Sequence, residues 1–132
     1  MEKVILRNCA TYDPKRIESI ILDGMDTLGI HPKGRTMVKP NLVMPHARYF
    51  AGCYTRPEFM DGLLGALRKR GEKITDLAVG ERSGITIPSR YAFMEAGYPK
   101  ILRKHGVKQV CFDEVASIPR NLNHPAALRS LV

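Results

Sequence analysis

Tryptophan is absent from this chain, cysteine occurs only three times, and acidic residues are outnumbered by basic ones, 13 to 21. Apolar runs are short as well. The longest, such as Leu63 to Leu67, fall far below the ~20 residues that a membrane-spanning helix requires. The start, "MEKVILRN", lacks the basic region and long apolar core of a secretory signal, so a cytoplasmic address is expected. Cys9, Cys53 and Cys111 are an odd set separated by tens of residues, which fits neither a metal knuckle nor a disulfide framework. They read as reduced thiols, with Cys9 and Cys111 buried at strand positions and Cys53 in a loop. No metal site is expected, because His31 and His46 stand alone beside prolines.

The shortage of acid leaves a net charge of +8. The cations are dispersed as Lys33/Arg35, Lys69/Arg70/Lys73 and Arg103/Lys104/Lys108, mostly at predicted helix ends, where they offset the negative end of the dipole. No basic stripe is interleaved with aromatics, so nucleic acid ranks behind a small ionic ligand. With 44% hydrophobic and 26% charged residues in 132, the chain reads as one soluble domain able to bury roughly two thirds of its unfolded surface.

The order of elements gives the class. Lys3 to Arg7 ("KVILR") reads as a buried strand, and Asp13-Pro14 opens a helix with Ile17, Ile20, Ile21, Met25 and Leu28 on one face, closed by Gly29. Thr36 to Lys39 reads as a second strand. Thr55-Arg56-Pro57-Glu58 then matches a capping box ahead of the helix that carries Phe59, Met60, Leu63, Leu64 and Leu67. A third strand at 73–79, two short helices over 88–96 and 99–105, and a fourth strand at 107–112 follow. Such alternation predicts an α/β fold: a parallel sheet of about four strands with helices on both faces, built from Rossmann-like βαβ units. The chain 1–132 reads as a single α/β domain whose tail is irregular after about 117. Its apolar end suggests self-association or a missing second half.

Two loops are more polar than connection demands: 40–54 after the second strand and the "GERSG" segment, Gly80 to Gly84, after the third. In parallel sheets, ligands sit outside the carboxyl ends of the strands, where helices diverge to opposite faces. That places Lys39, Asn41, Thr55, Arg56, Glu81 and Ser83 at one edge as candidate ligand-binding residues. Pro40 ends the strand because it has no N–H for the ladder, leaving Lys39 as a point charge and Asn41 as donor and acceptor at its mouth. Both loops lead into helix N-termini, where an anion is favoured. Each candidate also has a plainer reading: Lys39 as an end-of-strand lysine reaching water, Asn41 as a turn residue, Glu81 as an ion-pair partner. As an exposed charge, Lys39 is expected to contribute little to stability. Neither G-x-G-x-x-G nor a P-loop occurs, so no nucleotide cofactor is assigned.

The segments "VKPNLV", "TRPEFMDGLLGALRKRG", "LAVGERSG" and "FMEAGY…LRKHGVKQVCFDE" together resemble the amino-terminal half of the domain of unknown function 362 family. The resemblance covers roughly Val4 to Glu114, and the K-P-N plus T-x-P pair is its most specific element. It implies a larger unit, of which 1–132 is half, in a family sometimes fused to ferredoxin-type iron-sulfur modules. The cysteine motifs of those modules do not occur here. The function expected is a small phosphate or carboxylate ligand held at the strand ends in an enzyme-like position. The alternative is a non-catalytic scaffold or partner module for an iron-sulfur or redox protein.

Overall fold

The computed structural model describes residues 3–46, 48, 52–70, 73–84, 86–121 and 130–131, with backbone only at 120, 121, 130 and 131. Helix α1 spans Pro14–Leu28 and is stopped at both ends by its own sequence. Asp13 accepts from the Lys15 N–H at its start, with Pro14 in the first turn, and Gly29 adopts a left-handed φ of 65° at its end. The Gly29 and Ile30 N–H groups return to the carbonyls of Asp26 and Met25, the paired bonds of a glycine-terminated helix. Strand β1 (Gly34–Val38), helix α2 (Pro57–Arg70), strand β2 (Ile74–Glu81), helices α3 (Ser89–Glu95) and α4 (Tyr98–His105), and strand β3 (Lys108–Cys111) follow.

The three strands form one sheet in the order β1-β2-β3, both pairs parallel. The α/β class with a parallel sheet flanked by helices therefore stands, and two details of it change. The first concerns the expected strand at residues 3–7, which forms no strand: Val4 and Leu6 are 83% and 86% exposed, and Arg7 is tied to Asp23 of α1 at 2.7 Å. Strand propensity alone does not supply a ladder partner. Cys9, on the same segment, is exposed rather than buried, whereas Cys111 is buried as expected and Cys53 is exposed.

The second detail is the placement of the helices. In register, Leu77, Val79 and Cys111 share one sheet face, because partners in a parallel ladder point the same way and residues alternate along each strand. That face meets Met25 of α1, Met60, Leu64 and Leu67 of α2, Phe93 of α3, and Tyr98 and Leu102 of α4 in one buried cluster. Each fully buried side chain of this size, such as Leu64, stabilises by roughly 1.5–3 kcal/mol. Strands taken in sequential order with right-handed crossovers put every connecting helix on the same side. The other face, with Arg35, Met37, Asp76, Ala78, Lys108 and Val110, lines an open hollow instead of a second helix layer among the described residues, and Met37 is 48% exposed.

The tail expected to be irregular contains one described pairing, strand β4 (Arg120–Asn121) antiparallel to strand β5 (Ser130–Leu131). The rest of that expectation, 122–129 and 132, lies outside the described residues.

Helices α1 and α2 approach closely because α2 presents Gly62 and Gly65 to α1. A Cβ on Gly62 would come within 2.7 Å of the Pro14 carbonyl oxygen and of Ile17 Cγ2. Gly62→Ala should thus destabilise by about 1–3 kcal/mol through overpacking, despite the better helix propensity of alanine. Gly24→Ala, in α1 with nothing within 4 Å of its would-be Cβ, should stabilise by roughly 0.5–1 kcal/mol. Urea denaturation of the two variants should give midpoints displaced in opposite directions.

Candidate functional site

Strand β2 runs two residues further than expected, through Gly80 and Glu81, and this places Glu81 inside the molecule. Gly80 permits the extension: a Cβ there would lie 2.5 Å from the Phe112 ring and 2.9 Å from Met37 Sδ. The Glu81 side chain is 4% exposed, and its carboxylate is satisfied on both oxygens. Lys39 Nζ donates to Oε2 at 2.7 Å, and the Arg82 backbone N–H donates to Oε1 at 2.7 Å. The Glu81 carbonyl accepts from the Phe112 N–H at 3.0 Å, so one residue gathers the carboxyl ends of β1, β2 and β3. Lys39 itself keeps a side chain 63% exposed, with donors left over for solvent or a ligand.

Ser83 follows at once. Its backbone N–H donates to Ser89 Oγ at 3.0 Å, but its own buried hydroxyl has no hydrogen-bond partner among the described residues. Such an orphan is uncommon in a folded protein and asks for a reason. The Ser89 N–H donates to Asp113 Oδ2 at 3.0 Å, so the first turn of α3 is already met by a carboxylate from the chain itself. That bond, with help from the Ser89 hydroxyl, holds the Asp113 carboxyl below the usual carboxylate range. Arg82, Ser83, Gly84, Thr86 and Asp113 border a hollow of about 230 Å³.

Asn41 and Thr55 form a separate group that shapes the long loop. The Asn41 N–H donates to Thr55 Oγ1 at 3.0 Å, and the Thr55 N–H donates to the Asn41 carbonyl at 2.8 Å. Leu42 and Tyr54 pair antiparallel just above, closing the loop at its base. Asn41 Oδ1 accepts from the Val43 N–H at 3.1 Å, the local turn bond expected of a plain turn asparagine. Helix α2 starts at Pro57, one residue later than the capping box implies, and the Glu58 carboxylate pairs with Arg56 at 3.3 Å. The Arg56 guanidinium also lies 4.5 Å over the Tyr12 ring, so its contacts are with Glu58 and Tyr12 rather than with Lys39, Glu81 or Ser83.

Of the six residues expected at one edge, the structure pairs Lys39 with Glu81, places Ser83 two residues past Glu81 with its N–H on Ser89, joins Asn41 to Thr55 in the loop base, and turns Arg56 to other partners. Sequence reasoning missed Ser89, Tyr98 and Asp113. Asp113 was findable, since it lies two residues past the end of β3 and strand ends are where ligand residues collect. Tyr98 carried no signal beyond helical spacing.

The carboxyl-end position is therefore occupied, but the crevice is not the one expected. Sequential strand order contains no reversal among the described strands, so helices do not diverge there. No group of three or more His, Cys, Asp or Glu side chains among the described residues could hold a metal ion. What the arrangement offers is a positioned ammonium, a hydroxyl without a partner among the described residues, a carboxylate paired with that ammonium and a second that accepts from a backbone N–H.

The family model for a domain of unknown function, DUF362, matches residues 36–130, which contain all of these groups. The chain belongs to the DUF362 family. No curated protein and no solved structure matches it. In this DUF362 chain no helix among the described residues is long and apolar enough to cross a membrane.

The pairing of Lys39 with a buried carboxylate gives this lysine a structural partner that the expectation of little effect on stability did not include. Lys39→Met in the DUF362 chain should cost roughly 1–3 kcal/mol, because a buried charge loses its partner. The double variant Lys39→Met/Glu81→Gln should recover part of that loss, and a denaturant double-mutant cycle reads the coupling directly.

Tyr98 braces the base of the long loop. It is 1% exposed, meets Phe93 edge-on at 5.7 Å, and its hydroxyl donates to the Thr55 carbonyl at 2.8 Å. Burial raises its pKa above the ordinary 10.0, with the nearby Tyr54 and Glu81 adding to the effect. A phenol held neutral in the fold but free to ionise when unfolded contributes stability that is intact below pH 10 and lost as pH rises beyond it. Chemical denaturation between pH 9 and 11 should show this alkaline loss in the parent and a flatter profile in Tyr98→Phe.

Proposed function

We propose that this chain binds a small anionic ligand, a phosphate or carboxylate, at the carboxyl ends of β1 and β2, in an enzyme-like position. The observation that carries the reading is the Lys39 ammonium, oriented by the buried Glu81 carboxylate, together with the hydroxyl of Ser83, two residues past Glu81, which is buried without a partner among the described residues. Lys39 and Ser83 contact the ligand in this reading. Glu81 orients Lys39, Asn41 and Thr55 shape the loop, and Arg56 lies outside the contact set. Lys39 and Arg82 stand against Glu81 and Asp113, so the formal charges of the site balance. That balance favours a small anion that also brings a hydrogen-bond donor over a highly charged one. A reducing, cytoplasmic setting belongs to the same proposal and rests on the three free cysteines.

A second reading has one observation in its favour: the open sheet face with Met37 exposed, since parallel sheets are ordinarily covered on both sides. In that reading the chain is a partner module, self-associating or docking on an iron-sulfur or redox protein as the family resemblance suggests.

Ser83→Ala separates the first reading from a structural role, because it deletes a hydroxyl that bonds to nothing among the described residues. Its melting temperature without ligand should equal or slightly exceed that of the parent. Phosphate, acetate and lactate, tried in turn, should include at least one that stabilises the parent in a concentration-dependent way, with affinity reduced about three- to tenfold in Ser83→Ala, the worth of one hydrogen bond. Equal responses in the two proteins, or no response to any of the three, would overturn the proposal.

A further inference from the structure

We propose a second binding site, for a phosphomonoester, in the groove between α1, α2 and α4. The groove is a cavity of about 570 Å³, larger than the hollow at the strand ends and within the range of small-molecule sites. It is bordered by Lys15, Ser19 and Leu22 of α1, Lys69 of α2, and Lys104 and His105 of α4. Its two carboxylates are already answered from within. Glu18 pairs with Lys69, and Asp61 accepts from Lys104 at 2.8 Å on each oxygen while meeting His105 Nε2 at 2.6 Å. Asp61 and His105 are largely buried, with side chains 16% and 11% exposed, so this ionic cluster belongs to the helix packing and not to a solvated fringe. Burial pushes the Asp61 carboxyl up, and the bonds from Lys104 and His105 outweigh it, leaving the carboxyl below the usual range and therefore ionised.

Charge accounting then leaves an excess. Three ammonium groups face two carboxylates even with His105 neutral, and Lys15 makes no ion pair among the described residues. Lys15 stands in the first turn of α1, where the N-cap Asp13 accepts its backbone N–H and leaves its ammonium without an ion pair among the described residues. That exposed ammonium is the spare cation available to an anion in the groove. Lysines act as point charges on phosphate, Ser19 can donate to a phosphate oxygen, and Leu22 and Pro14 give apolar surface for the organic body. Inorganic phosphate shares the charge chemistry and lacks the body, so the two sources are separable by experiment.

The test is residue-resolved. Amide chemical shifts of the ¹⁵N-labelled chain are followed while titrating ribose 5-phosphate, inorganic phosphate or sodium chloride at matched ionic strength. The expected result is saturable movement at Lys15, Ser19, Lys104 and His105 with both phosphates, tighter for ribose 5-phosphate, and none with chloride. Lys15→Met should weaken the binding by roughly two- to fivefold, the scale of one exposed ion pair, and Lys15→Met/Ser19→Ala further. Neither residue is in the strand-end site, and Ser83→Ala should leave these shifts untouched, so failure of one site is read independently of the other. Movement identical in chloride, or unchanged by Lys15→Met, would refute the groove site. Equal affinity for the two phosphates would refute the phosphomonoester assignment.

Discussion

A carboxylate withdrawn from water must be answered on both oxygens, and Glu81 meets that demand by drawing three parts of the chain to one point. Its side chain takes the ammonium from the end of β1 and the N–H that begins the next loop, and its carbonyl takes the N–H that follows β3. The contacts from Lys39 and Phe112 join segments that are distant in sequence, so the strand ends are held level by an ionic knot as well as by the ladder. The same knot decides what the site can do. It fixes Lys39 while leaving most of that side chain in solvent, and it sets the backbone course that buries Ser83. Stability and the proposed ligand contact are therefore coupled at Lys39 and separable at Ser83.

The N-terminal ends of helices attract anions, and in this chain some of those anions are its own. Asp113 meets the first turn of α3, and Asp13 meets that of α1. A sequence-level argument for an external anion at every such end overcounts, because side chains brought in by the tertiary fold reach the N–H groups first. What remains for a ligand is the unanswered residue of that accounting: the spare donors of Lys39, the Ser83 hydroxyl, and, on the far side of the helix layer, Lys15.

The single helix layer follows from strand order and crossover hand. With β1, β2 and β3 adjacent in sequence order, α2 and the α3–α4 pair fall on one side, and α1 joins them through the glycine contacts of α2. The core is accordingly one-sided, Leu77 and Val79 within it and Met37 outside. This topology also removes the crevice of divergent helices, so the site is a shallow hollow formed by loops at the strand ends.

The residues alone determined the class of fold, because alternating apolar periods and glycine or proline stops are local properties: α1 lies between Pro14 and Gly29, and α4 ends at Gly106, where those residues allow. They also marked the K-P-N and G-E-R-S-G loops as the place to look, since proline ends a ladder wherever it stands. Only the tertiary structure decided which candidates meet. Thr55 answers Asn41, Arg56 answers Glu58 and Tyr12, and Glu81 turns inward to Lys39, 42 positions away in sequence. It likewise decided that residues 3–7, strand-like in composition, have no strand to pair with. A strand and an ion pair each need a partner, and partners separated by tens of residues are chosen by packing in three dimensions, which local pattern does not encode.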